Sequence, residues 1–80
     1  MSKKTYKVIQ WSSGNVGQAS IRGICNRSDL ELVGLIVSNE EKNGIDAGII
    51  SGIGKVGVLA STDIEKVLSI QADCVNYTPL

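Results

Sequence analysis

Short apolar runs alternate with polar and glycine-rich stretches along the chain, and this alternation predicts the elements of an α/β domain. The run Tyr6–Trp11 predicts a first strand, and apolar residues at helical spacing from Asn15 to about Asn26 predict a helix after it. Residues 30–37 are rich in branched side chains, which is typical of a central parallel strand covered on both faces. The chain therefore opens with a predicted β-α-β unit.

The second half of the chain predicts a loop followed by a strand, a helix and a further strand. Residues 38–55 are polar and then glycine-rich, which indicates a loop with a short helix around residues 46–51. Residues 56–60 predict a third strand, and residues 72–77 predict a fourth. Between them, Thr62 begins a T-x-x-E capping box ahead of an apolar-periodic helix. The order β-α-β-loop-β-α-β predicts an α/β fold with a Rossmann-type parallel sheet and right-handed crossovers.

The length of the chain predicts that this sheet is partial. The sequence has 80 residues, whereas one domain typically has about 100–150. The fourth predicted strand is followed by no helix that could cover it. We therefore expect residues 1–80 to be the N-terminal part of a dinucleotide-binding domain in a longer protein, with the substrate domain outside this chain.

Composition argues against several classes of function. Eight basic and eight acidic residues give a formal net charge of zero, and no dense cluster of Lys and Arg predicts nucleic-acid binding. No apolar run approaches the roughly 20 residues that span a bilayer, and the N-terminus lacks the apolar core of a signal peptide, so we expect a cytoplasmic protein. Without histidine, and with Cys25 far from Cys74, no metal site is expected. Both cysteines are expected to be small buried apolar residues.

The turn between the first strand and the first helix has the sequence Ser-Ser-Gly-Asn-Val-Gly, which predicts a phosphate-binding site. A helix N-terminus offers unpaired N–H groups and the positive end of its dipole to an anion. In the G-x-G-x-x-G pattern, Gly14 lets the pyrophosphate approach and Gly17 lets the helix pack on the strand, so we expect contacts from the backbone of Asn15, Val16 and Gly17. Ser12 replaces the first glycine, and its hydroxyl is a candidate phosphate ligand. A tight turn in another doubly wound fold is the alternative.

The end of the second strand carries information about the cofactor. NAD-binding proteins of this class place an acidic residue there to bond the ribose 2′-hydroxyl, and none stands at this tip. Ser38, Asn39 and Lys42 can instead bond a 2′-phosphate, although Glu40 and Glu41 stand close by. The expected cofactor is NADP or NAD, and a polar surface loop without a ligand is the alternative.

Five stretches of the sequence together form a recognisable pattern: residues 8–17, 29–34, 44–48, 57–58 and 72–79. With these motifs the chain resembles the N-terminal domain of the dihydrodipicolinate reductase-like superfamily. Within it, the chain is most similar to the branch that contains 2,4-diaminopentanoate dehydrogenase and the native amine dehydrogenases. The resemblance extends over nearly the whole chain.

The resemblance implies an NAD(P)-dependent oxidoreductase that moves hydride between the cofactor and an imine or amine carbon. It implies that Ser38 faces the adenosine ribose and that Tyr77, Thr78 and Pro79 lie along the nicotinamide half. The substrate-binding and proton-handling groups of the family lie mostly in a C-terminal domain, so no catalytic residue is assigned here. We expect a small-molecule amine or imine partner and a homo-oligomeric full-length protein. A nucleotide-sensing module without chemistry is the alternative, because the fold alone does not decide function.

Overall fold

A computed structural model describes residues 4–78, which form a four-stranded parallel sheet with helices packed against it. The strands are β1 (Tyr6–Trp11), β2 (Leu30–Ile36), β3 (Ala60–Ser61) and β4 (Cys74–Tyr77). The helices are α1 (Asn15–Asn26), α2 (Ala47–Ser51) and α3 (Ile64–Leu68), with a turn of 3-10 helix at Glu40–Lys42. The strand order β3-β2-β1-β4 is that of the first half of a Rossmann fold. The predicted fold class is confirmed.

Two apolar clusters cover opposite faces of the sheet. Successive residues of a strand point to opposite faces, and Val8 and Ile9 of β1 accordingly belong to different clusters. Val8 packs with Ile21 of α1, whereas Ile9 packs with Val67 of α3. Full burial of each such side chain contributes roughly 1.5–3 kcal/mol. The helices therefore fix the sheet from both sides, and no helix among residues 4–78 is long and apolar enough to cross a membrane.

The third strand is shorter than its prediction. Residues 56–60 were expected to be extended, but only Ala60–Ser61 pair with β2. The N–H groups of Val56 and Gly57 donate to the carboxylate of Asp46 and are therefore not available to a neighbouring strand. Gly57 also has a positive φ of 86°, which interrupts an extended backbone. The prediction failed because the side chain of Asp46, ten residues before Val56, forms hydrogen bonds with the backbone of this segment.

The prediction that both cysteines are buried is wrong. Helix α1 faces the sheet with three residues at turn spacing: Gly17, Ile21 and Ile24. Val16 and Cys25 flank this stripe, and Val16 is 66% exposed while Cys25 is also exposed. Cys74 is exposed because β4 lies at the edge of the four-stranded sheet.

Smaller differences concern the ends of elements. The cap of α3 is Asp63 rather than Thr62, because the Asp63 carboxylate accepts the N–H of Lys66 at 3.1 Å. Strand β2 ends at Ile36, one residue before its predicted end, and β4 begins at Cys74 rather than at residue 72. None of these shifts moves the junction between β1 and α1.

The buried carboxylate of Asp46 organises the loop between β2 and β3. One carboxylate oxygen accepts the N–H groups of Gly48 at 2.8 Å and Val56 at 2.9 Å, and the other accepts that of Gly57 at 2.8 Å. The hydrogen bond from Val56 has the largest effect on the pKa of Asp46 and lowers it. The bonds from Gly57 and Gly48 lower this pKa further, whereas burial of the carboxylate opposes the shift. The ionised carboxylate thus joins the start of α2 to the segment before β3.

We predict that Asp46→Asn destabilises the fold and removes part of its acid sensitivity. The folded-state pKa lies below the unfolded value of about 3.9, so the stabilisation is present above that pH and is lost as pH falls through the folded pKa. Denaturant unfolding at pH 7 and pH 3 checks this, with Glu31→Gln on an exposed residue as control. Equal pH dependence of the wild type and Asp46→Asn would contradict it.

Candidate cofactor-binding site

A cleft of about 460 Å³ opens at the carboxyl ends of β1, β2 and β4. Open α/β sheets bind ligands at this edge, at the point where the strand order reverses, which here lies between β1 and β4. Five of the residues predicted from the sequence line the cleft: Ser12, Gly14, Ser38, Asn39 and Tyr77. Lys42, a candidate ligand of a 2′-phosphate in the sequence, lines the cleft as well. Ser13, part of the predicted phosphate-binding turn, lines it too, whereas the sequence did not identify the remaining lining residues Trp11 and Ile36.

The backbone N–H groups at the start of α1 are free to bind an anion. Within residues 4–78, the N–H groups of residues 13–17 donate to no protein acceptor. Gly14 caps the helix without a side-chain hydrogen bond, and no acidic residue stands in the first turn. Unpaired N–H groups and the positive end of the helix dipole therefore coincide beside the cleft.

Ser12 adopts the backbone conformation that glycine favours. Its φ is 99°, and it is the one residue other than glycine with a positive φ in the described part of the chain. Its N–H donates to the carbonyl of Ile36 at 2.9 Å, and its carbonyl accepts from Nε2 of Gln10 at 3.1 Å. Hydrogen bonds on both sides hold Ser12 in a conformation that costs a side-chain-bearing residue about 1–2 kcal/mol.

The two glycines of the turn have different roles. A Cβ on Gly17 would overlap the carbonyl oxygen of Ser12 and lie 2.8 Å from its carbonyl carbon, so Gly17 allows α1 to pack against the end of β1. Gly14 has a φ of −68° and a ψ of −169°, which any residue can adopt. The backbone conformation at position 14 therefore does not require glycine, whereas the packing of α1 against β1 does require glycine at position 17.

The β2 side of the cleft carries a positive charge. Nζ of Lys42 donates to both the carbonyl oxygen and Oγ of Ser13, each at 3.1 Å, and so bridges the loop after β2 to the turn. Oδ1 of Asn39 accepts the N–H of Glu41 at 2.9 Å and caps the 3-10 turn that carries Lys42. Ser38 and Asn39 are exposed at the cleft. The ammonium group of Lys42 and the hydroxyl of Ser38 therefore lie near the end of β2, where NAD-binding proteins of this class have an acidic residue.

The β4 side of the cleft is aromatic. Trp11 and Tyr77 are partners across β1 and β4, and their rings meet edge to face with centroids 5.2 Å apart. The Thr78 hydroxyl does not line the cleft but accepts from Nε2 of Gln10 at 2.9 Å. Asn15 and Val16 are exposed at the start of α1. Pro79, also predicted as a cofactor contact, lies outside the described residues.

These features define a Rossmann-type nucleotide-binding module. A model of the family "Dihydrodipicolinate reductase, N-terminus" matches residues 8–78, and the chain belongs to this family. It is 39% identical over 70 residues to an amine dehydrogenase of Streptomyces virginiae, a match that covers 86% of this chain and 19% of the relative. It is 40% identical over 58 residues to a 4-hydroxy-tetrahydrodipicolinate reductase of Methanococcus maripaludis, covering 69% and 22%.

A solved structure of amine dehydrogenase from Mycobacterium smegmatis has the same fold, with a TM-score of 0.77 at 25% identity. The match covers 88% of this chain and 21% of that one, so the chain spans about a fifth of the length of its relatives. The family predicted from the motifs and the predicted cofactor, NADP or NAD, are confirmed by these relationships. The individual cofactor contacts stay predictions.

We predict that Ser12→Gly is more stable than Ser12→Ala by about 1 kcal/mol, because alanine keeps the Cβ that a positive φ disfavours. Denaturant unfolding of both variants in the complete protein measures the difference. Ala19→Gly provides the control, because α1 at that position has ordinary helical geometry and there glycine is the less stable residue. A Ser12→Ala variant as stable as Ser12→Gly would show that the turn is not strained.

Proposed function

We propose that this chain is the NAD(P)-binding module of an oxidoreductase that moves hydride between a nicotinamide cofactor and an imine or amine carbon of a small molecule. The observation that carries the proposal is the set of unpaired N–H groups of residues 13–17 beside a cleft at the carboxyl ends of the strands. The names of two relatives, an amine dehydrogenase and a 4-hydroxy-tetrahydrodipicolinate reductase, support the reaction class. In this proposal, the groups that hold the substrate lie elsewhere in the complete protein.

In this proposal, the dinucleotide lies in the cleft in one direction. Its pyrophosphate carries the negative charge and belongs at the unpaired N–H groups of the turn, next to Gly14. The adenosine ribose then extends towards Ser38 and Asn39 at the end of β2, and the nicotinamide half towards Trp11 and Tyr77. The nicotinamide supplies the hydride chemistry, while the residues of this chain bind and orient it.

The charge at the end of β2 favours a 2′-phosphate. Lys42 reaches the cleft, and among residues 4–78 its Nζ donates to two neutral acceptors, the carbonyl oxygen and Oγ of Ser13. A 2′-phosphate would provide a charged partner and would add Coulomb attraction between the ammonium group and a negative charge. Glu40 and Glu41 are exposed and do not line the cleft, so the repulsion that an acid at the strand tip would cause is reduced. We therefore infer that NADP(H) binds at least as tightly as NAD(H).

We predict that Gly14→Val weakens cofactor binding while the protein stays folded. The φ of −68° accepts valine, so the branched side chain meets the pyrophosphate rather than straining the backbone. The expected loss is about 2 kcal/mol, or roughly thirtyfold in Kd. Calorimetric titration of the complete protein with NADPH and NADH measures it, and the thermal transition reports folding. An unchanged Kd in a folded variant would refute the assignment of residues 12–17 as the turn that binds the pyrophosphate, the phosphate turn.

We predict that Lys42→Met raises the Kd for NADPH about tenfold and that for NADH less than threefold, because one charge-assisted bond to the 2′-phosphate is lost. Lys55→Met is the matched control, since Lys55 is exposed and does not line the cleft. The same titrations measure both cofactors. Equal losses for NADPH and NADH would mean that Lys42 acts through the phosphate turn and not on the 2′-phosphate.

A further inference from the structure

Gln10 is a fully buried polar residue at the carboxyl end of β1, and both ends of its carboxamide are bonded. The side chain is 0% exposed. Nε2 donates to Oγ1 of Thr78 at 2.9 Å and to the carbonyl of Ser12 at 3.1 Å, with a longer contact of 3.4 Å to the carbonyl of Trp11. Oε1 accepts from Nδ2 of Asn76 at 2.8 Å. One carboxamide therefore joins the phosphate turn to the end of β4.

The bond to Ser12 determines which way the next peptide points. The chain has no cis peptide bond among its described residues, so the N–H of Ser13 points away from the carbonyl of Ser12. With that carbonyl held on Gln10 inside the protein, the N–H of Ser13 is directed to the opposite side, and Ser13 lines the cleft. The buried amide thus fixes the orientation of the first free donor of the turn.

The bonds to Asn76 and Thr78 hold the other side of the site. The Thr78 N–H donates to the carbonyl of Trp11 at 3.1 Å, and its hydroxyl is 3.4 Å from the same oxygen. Thr78 Oγ1 would also lie 3.3 Å from a Cβ on Gly17, so this hydroxyl packs directly beneath the start of α1. The end of β4 and the first turn of α1 consequently share one buried contact point.

An apolar residue at position 10 would fill the same space but would leave the Ser12 carbonyl and the Asn76 amide without these partners. Leaving a buried polar group unpaired costs about 1–3 kcal/mol, so the surrounding backbone would rotate to find water. The Ser12 carbonyl belongs to the peptide that carries the N–H of Ser13 at the cleft, so a rotation of this peptide would turn that N–H away from its present direction. Removal of the carboxamide is therefore expected to act on the turn.

We propose that Gln10 is a positioning residue for the cofactor: it orients the Ser12–Ser13 peptide towards the pyrophosphate and ties this turn to the end of β4. This inference rests on the proposed NAD(P)-binding function. Gln10 itself does not touch the cleft and acts through Ser12 and Thr78.

A double-mutant cycle between Gln10→Met and Gly14→Val tests this role. Methionine keeps the length of the side chain and removes the carboxamide. Measured by calorimetry on the complete protein, Gln10→Met is expected to raise the Kd about tenfold for whichever of NADPH or NADH the wild type binds more tightly. In the Gly14→Val background, where the pyrophosphate contact is already lost, it is expected to raise the Kd less than twofold.

A merely structural role predicts a different pattern. Loss of affinity by the same factor in both backgrounds, or no loss in either, overturns the proposal. Ile21→Val is the control: it trims the core beneath α1 and should leave the Kd within twofold. If Gln10→Met does not fold, Gln10→Asn carries the test, since it keeps a carboxamide but is one methylene too short for the 3.1 Å bond to the Ser12 carbonyl. A wild type that binds neither dinucleotide refutes the proposed function itself.

Discussion

The close approach of α1 to the last residues of β1 is the constraint on which the site depends. The absence of a Cβ at Gly17 allows the helix to begin against the carbonyl of Ser12. The chain must then reverse within Ser13 and Gly14, and the positive φ of Ser12 makes this reversal possible. The N-cap is Gly14, which has no side chain to cap the helix, and within residues 4–78 the N–H groups of residues 13–17 have no protein acceptor.

Two buried polar side chains fix the parts of the site that apolar packing leaves undetermined. The clusters around Ile21 and Val67 position the helices on the sheet, but they do not specify how individual peptides point. Gln10 does this for the phosphate turn, and Asp46 does it for the loop after β2 by accepting three N–H groups. A hydrogen bond is directional in a way that burial is not, so each of these residues specifies a geometry.

The sequence was sufficient for the β1–α1 junction and for the short helix around residues 46–51, and insufficient for the segment between residues 56 and 60. At the junction, apolar spacing, glycines and the end of a strand coincide locally, and the predicted bounds of β1 match those of the structure. In the later segment the conformation depends on Asp46 reaching residues ten and more positions ahead, which no local pattern reveals. For the same reason Trp11 and Ile36 were not identified: they join the cleft only when β2 and β4 lie on either side of β1.

Local charge rather than total charge determines what this cleft attracts. The whole chain has a formal net charge of zero, which by itself gives no preference for an anion. At the cleft, the positive end of α1 and the ammonium group of Lys42 lie close together, while Glu40 and Glu41 do not line it. Buried and partly buried charges are screened less than exposed ones, so the groups that line the cleft contribute most to the field that a phosphate would meet there. Under the proposed function, a neutral chain can therefore present an anion site, because its positive groups converge on one strand end.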